Sequence, residues 1–225
     1  MRKHRGWIVL LCCAFLYFSL PAAVHTRVAD GVSAAVSWVK RQVAPSAEKA
    51  APHQSSTTSA STASTAATAK EAIVPTGKLA ARYTYSFAPH TDRTVQQLFT
   101  AALNIYNQTD IVKLTPGSTG QFTNHLTLSS YQKVQTNGEA VILGLGGPQI
   151  TRWTGAKQAT VNHASARLNL AYRSRLNVAT AVHELGHALG LAHSTAPDSV
   201  MFPTDRNVSK LSPADLAGLR AIYSR

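Results

Sequence analysis

Cysteine is nearly missing from this chain. Of 225 residues only Cys12 and Cys13 are cysteines, and both lie in an apolar run near the start. The remainder can build neither a disulfide framework nor a thiolate metal site, and a cysteine nucleophile is excluded there. Acidic residues are scarce too: ten Asp and Glu stand against 22 Lys and Arg, a formal net charge of +12. The basic residues are scattered singly, with no basic helix and no aromatic-basic repeat. The charge therefore reads as a solvated surface suited to an anionic cell envelope rather than as a nucleic-acid footprint.

What is present divides the chain into four parts. Residues 1–24 join Arg2, Lys3 and Arg5 to an apolar run from Trp7 to Leu20, the export pattern. The run reads as a cleaved signal peptide or as an uncleaved signal anchor. Positive-inside placement puts everything after it outside the membrane. Residues 25–43 carry Val32, Val36, Val39 and Val43 at helical spacing, a juxtamembrane segment. Residues 44–77 are dominated by Ala, Ser and Thr, with too little apolar bulk to offset their ordering entropy, and read as a flexible linker. Residues 78–225 are left to fold, enough to bury a core without covalent staples.

Within that last part, Tyr83, Tyr85 and Phe87 alternate with polar residues as a strand does. Asp92 or Thr94 can cap a helix whose apolar positions are Val95, Leu98, Phe99, Ala102, Leu103 and Tyr106. Further strands are expected over 111–114, 126–131 and 140–145, the last closed by a turn through Gly144, Gly146, Gly147 and Pro148, with a weaker one over 158–162. Asn177 can cap a second helix, ended by Gly190. Ser212, Pro213 and Asp215 open a third through a Ser-x-x-Asp box, with Leu216, Leu219, Ile222 and Tyr223 as its buried stripe. Strand, helix, four strands, helix, helix is an α+β order.

The stretch His183 to His193 reads HELGHALGLAH. On a helix, His183 and His187 lie on one face, roughly 40° apart, so both imidazoles can reach one ion. Glu184 points to the flank of that face, where it can act on water without being a ligand. Continued as helix, His193 would lie roughly 80° off. Gly190 can adopt a left-handed backbone that turns the chain and returns His193 to the metal. Three imidazoles with a fourth position left for water describe an open, catalytic zinc site.

These residues resemble the metzincin zinc proteases, and more narrowly the matrixins. Their motif is followed by a methionine-containing turn, matched here by Met201 in Ser199-Val200-Met201-Phe202-Pro203, with Ser194 directly after the third histidine. The resemblance covers about residues 78–225, strongly after Asn177 and by element order before it. It implies a mostly parallel twisted sheet of about five strands with three helices. It also implies hydrolysis of peptide bonds in extracellular or envelope proteins, with one catalytic Zn²⁺ and Glu184 as general base. Substrate would lie along an edge strand, matched by Val141, Ile142, Leu143 and Gly144, with a specificity pocket near Leu189, Val208 and the loop 203–211. Animal matrixins also hold structural zinc and calcium. Between Ser129 and Thr180 this chain offers only Glu139 and His163, so those ions are not expected. His90, His125 and His163 are expected to be ordinary polar residues. The cysteine-switch peptide is missing.

The expected product is thus a monomeric metalloendopeptidase, secreted or held at the cell surface by its N-terminal segment, acting on protein or peptide and not on nucleic acid. The rival readings are a noncatalytic zinc-binding envelope protein, which would have no use for Glu184, and a wall-directed hydrolase, whose ligand spacing would differ.

Overall fold

A computed structural model describes residues 66–135, 140–156 and 158–223. The expected signal, the juxtamembrane segment and the linker up to residue 65 lie outside the described residues. Among the described residues no helix is long and apolar enough to cross a membrane.

The chain forms strand β1 (Arg82–Phe87), helix α1 (Arg93–Asn107), then β2 (Lys113–Pro116), β3 (Asn124–Tyr131), β4 (Gly144–Gly147), β5 (Ile150–Trp153) and β6 (Ala159–Asn169). A 3₁₀ turn (Leu170–Arg175), helix α2 (Val178–Ala188) and helix α3 (Pro213–Tyr223) complete it. The sheet has six strands in the order β2-β1-β3-β6-β4, with β5 also pairing β6. The pairs β1–β2, β1–β3 and β3–β6 are parallel, and β4 and β5 run antiparallel to β6. This is the α+β class that the element order implied, with the mostly parallel sheet and three helices implied by the resemblance.

The helices cover one face. Val95, Phe99, Ala102, Leu103 and Tyr106 of α1 meet Leu126 and Leu128 of β3 in one buried cluster with Val182, Leu185 and Leu189. Burying each such side chain contributes about 1.5–3 kcal/mol. Asp92 is the α1 cap, accepting from the Thr94 amide at 2.9 Å. A strip of buried polar groups then fixes how α2 ends over the sheet. Asn162 on β6 donates from Nδ2 to the Ala188 carbonyl at 2.9 Å, and the Tyr223 hydroxyl donates to the Leu189 carbonyl at 2.7 Å. Both satisfy carbonyls that a helix end leaves without intrahelical partners.

Three expectations need correcting. The strand expected over 158–162 is the 11-residue β6. Its helix-facing residues Asn162, Ala164, Ala166 and Leu168 are buried but mostly small, so its alternation is faint in hydropathy. Strand β5 was missed. The strand expected over 140–145 is displaced, and the glycines read as its closing turn, Gly144, Gly146 and Gly147, belong to β4 itself. Finally, the linker does not run to residue 77. Thr68 and Val74 are buried, and Thr68 donates from its amide to the Ala214 carbonyl at 2.9 Å. Specific hydrogen bonds order a stretch that its composition would leave loose.

Candidate metal centre and active site

Helix α2 begins where the sequence places it. The Asn177 side chain accepts from the Thr180 amide at 2.9 Å. It ends in a Schellman turn: the Gly190 amide donates to the His187 carbonyl and the Leu191 amide to the Gly186 carbonyl, both at 2.9 Å. Gly190 sits at φ +104°, where a side chain would be strained, and an added Cβ would lie 3.0 Å from a Val74 methyl. The chain therefore leaves the helix sharply, and His193 comes back to the two helical histidines.

The three rings converge. Nε2 of His187 stands 3.2 Å from Nε2 of His183 and 3.3 Å from Nε2 of His193. One ligand nitrogen from each residue lies within 4.8 Å of the other two. Tetrahedral coordination with Zn–N bonds of about 2.0–2.1 Å separates ligand nitrogens by about 3.3 Å. Two of the three nitrogen separations match that value, and three imidazole donors suit a single zinc ion in chemistry.

The far side of the rings sets their tautomer. His183 Nδ1 lies 2.8 Å from the Val200 carbonyl, and His187 Nδ1 lies 2.9 Å from the Leu191 carbonyl and 3.2 Å from Glu71 Oε1. These partners only accept, so each Nδ1 carries the proton and each Nε2 presents its lone pair to the metal position. Burial and the neighbouring His187 hold His183 near pKa 4. Burial and the other two rings hold His193 near 3. Both are therefore neutral, as ligands must be. Burial also opposes protonation of His187, but the hydrogen bond its Nδ1 donates to Glu71, the charges of Glu184 and Glu71 and the bond to the Leu191 carbonyl outweigh it and move its pKa upward.

Glu184 is buried beside the trio, and burial lifts its pKa to about 7 against the pull of His187 and a hydrogen bond from the Gly146 amide. A carboxyl poised there is suited to taking and returning a proton near neutrality. Its wall is β4. A Cβ on Gly144 would lie 2.5 Å from Glu184 Cγ, and one on Gly146 would lie 2.1 Å from the Glu184 carbonyl oxygen. Only glycine admits this approach, which explains the glycines at positions 144 and 146.

Met201 is fully buried in a turn after His193, with Ser194 donating its amide to the Met201 carbonyl at 2.9 Å. An added Cβ on Gly186 would meet its sulfur at 2.4 Å, so Met201 packs directly under the helix that carries the ligands. A matrixin family model matches residues 80–224.

The chain belongs to the matrixin family. Among relatives of this matrixin, cat matrilysin (Felis catus) is 50% identical over 52 residues, 21% of this chain and 20% of the relative. Human matrilysin (Homo sapiens) is 34% identical over 90 residues, 36% and 28% respectively. Matrix metalloproteinase-2 of Drosophila melanogaster is 51% identical over 51 residues, 21% of this chain and 6% of that protein. The chain therefore spans well under a third of the length of each of these relatives. Matrixins are zinc metalloendopeptidases, and a group of three histidines able to hold a metal ion is present in this matrixin.

The remaining expected site residues are less well placed. Val141, Ile142 and Leu143 precede the edge strand, and Gly144 opens it. The Ile142 and Leu143 carbonyls are already taken by Asn169, through its side-chain amide at 3.0 Å and its backbone amide at 2.8 Å. Leu189 is fully buried in the core, and Val208 packs from the loop against it. His125 lies between the Thr84 and Ser86 hydroxyls at 2.8 and 3.0 Å, and His163 Nε2 lies 3.1 and 3.0 Å from the Gly120 and Thr123 carbonyls. Two functional neighbours were missed. Glu71 sits in what reads as linker, and no pattern marks it. Asp205 ties the loop after the Met-turn to Asn177 through a 2.7 Å hydrogen bond, and an Asp distant in sequence gives no signal of its partner.

Proposed function

We propose that this chain is a zinc-dependent endopeptidase, secreted or held at the cell surface by its N-terminal segment, acting as a monomer on extracellular or envelope proteins. The observation that carries the reading is the meeting of three imidazole Nε2 atoms beside one buried carboxyl. His183, His187 and His193 would hold a single Zn²⁺. Bound there, the ion supplies Lewis acidity that polarises the scissile carbonyl and acidifies water.

The chain's own residues do the rest. Glu184 accepts the proton of the attacking water on its carboxylate and passes it to the departing amine nitrogen. Its burial keeps the proton from bulk solvent, and the Gly146 amide holds the carboxylate in place. Substrate backbone pairs with the outer edge of β4, extending the sheet by a strand. Gly144–Gly147 serves better for this than the Val141–Gly144 stretch expected from sequence, because it is the edge element that runs beside Glu184. The basic surface favours an anionic envelope as the working environment.

The test is cleavage of a quenched fluorescent peptide library by the purified full chain. Activity should vanish with a chelator and return with zinc. Glu184→Gln should keep stoichiometric zinc while turnover falls by at least about 100-fold. Zinc lost with that variant, or turnover retained, would refute the assignment.

A further inference from the structure

The segment before the catalytic domain is zipped onto the turn that presents the third histidine. Lys70 forms an antiparallel bridge with Leu191. The Glu71 amide donates to the Gly190 carbonyl, and the Ala192 amide donates to the Ala69 carbonyl, both at 2.8 Å. Thr68 is pinned further along, its hydroxyl donating to Asp215 Oδ1 at 2.6 Å. Val74 closes the other end, buried against Gly190. The strap Thr68–Val74 is therefore in strand contact with the residues that link His187 to His193.

Inside this strap Glu71 is aimed at the metal centre. Its Oε1 lies 3.2 Å from Nδ1 of His187, which also donates to the Leu191 carbonyl at 2.9 Å. The backbone on either side of Glu71 is fixed by the bonds above, so its direction is set by the strap and not by a free side chain. The Glu71 side chain is 37% exposed and that of His187 10%. The carboxylate thus reaches from the rim toward a largely covered ring.

We infer that Glu71 is a positioning residue of the zinc centre, and that the strap carrying it is part of the metal site although it lies outside the catalytic motif. A carboxylate on Nδ1 makes the ring a stronger donor at Nε2 and restricts its rotation. The Leu191 carbonyl does the same more weakly, as a neutral acceptor, and moves with the Gly190 turn. Glu71 adds a formal negative charge on the side of His187 remote from the ion. This inference rests on the three-histidine reading above and concerns ion affinity, not turnover.

The experiment measures zinc dissociation from the full chain by competition with a chromophoric chelator at one fixed pH, for wild type, Glu71→Gln, Glu71→Ala and Ile73→Ser. Ile73 lies on the same strap with 54% exposure and serves as the control for strap packing. Loss of an outer partner of a ligating histidine typically weakens metal binding by 10–100-fold. Since Leu191 remains, Glu71→Ala should weaken zinc by about tenfold, and Glu71→Gln, which keeps the acceptor and loses the charge, by less. Ile73→Ser should bind as wild type does. The cobalt-loaded Glu71→Ala chain should also show a shifted visible spectrum, and the metal-free protein should melt where wild type melts. Zinc binding within twofold of wild type in Glu71→Ala would overturn the inference and leave the three-histidine site standing. Equal weakening in Ile73→Ser would also overturn it, by assigning the effect to strap packing. A wild-type chain that binds no zinc would overturn both.

Discussion

Gly146→Ala should cripple this protein out of proportion to the single methyl it adds. The added Cβ would lie 2.1 Å from the Glu184 carbonyl oxygen, 2.8 Å from its carbon and 3.0 Å from its Cα. All three are backbone atoms in the middle of α2, so no side-chain rotation relieves the clash. Reaching even 3.0 Å from the oxygen requires β4 and α2 to part by about 0.9 Å. Overpacking of this kind costs about 1–3 kcal/mol. The lost flexibility of glycine returns about 0.5–1 kcal/mol. A net destabilisation of about 1–2 kcal/mol lowers the melting temperature by roughly 2–4 °C per kcal/mol for a domain of this size. Activity should suffer more, because the same displacement moves the amide that holds Glu184 and the strand that would bind substrate. A misplacement of about 1 Å can cost about 100-fold in rate.

The strand carries its own controls. A Cβ on Gly147 meets nothing within 4 Å, so Gly147→Ala should melt like wild type. The three atoms nearest a Cβ on Gly144 all belong to the Glu184 side chain, at 2.5–2.6 Å, so Gly144→Ala should lose rate with little loss of stability. The assay is kcat/KM on a quenched peptide beside thermal melting by circular dichroism and zinc content by atomic absorption. The reasoning is refuted if Gly146→Ala keeps kcat/KM within about threefold of wild type.

Two further substitutions probe the frame of the site. Gly190→Ala should destabilise the domain by about 1–3 kcal/mol, the usual cost of a non-glycine residue held at a disfavoured positive φ. It should also weaken zinc binding, read by chelator competition, because Gly190 sets the return of His193; unchanged affinity would detach the turn from the metal site. Asp215→Ala should cost at least about 3 kcal/mol in urea unfolding, since it strands the Ser199, Thr68 and Ser212 hydroxyls and the Val200 amide, which the carboxylate now accepts from at 2.6–3.1 Å. A loss below about 1 kcal/mol would show those groups finding water instead.

The three-histidine group was legible because its information is local. Two turns of helix and a glycine fix where His183, His187 and His193 point, and the caps Asn177 and Ser212 announce the helices around them. The edge strand was not legible in the same way. Val141, Ile142 and Leu143 carry the hydropathy, but the close approach of α2 selects glycine, so the strand is built from residues that normally signal a turn. Strand β6 hides for a related reason, since Ala164 and Ala166 leave room for the helix and weaken the apolar signal. The strap is the plainest limit. Thr68, Ala69 and Lys70 have no hydrophobic pattern, and what orders them is a partner more than a hundred residues away, to which composition is blind.

Asp215 gathers Thr68 of the strap, Ser199 and Val200 of the Met-turn and the Ser212 cap of α3 onto one fully buried carboxylate. As the chain is made from its N-terminus, all three histidines emerge before this residue does. The anchor shared by the Thr68 end of the strap, the Met-turn and α3 is missing until Asp215 has been added. Strap, Met-turn and last helix therefore lock onto one another only once that helix has joined.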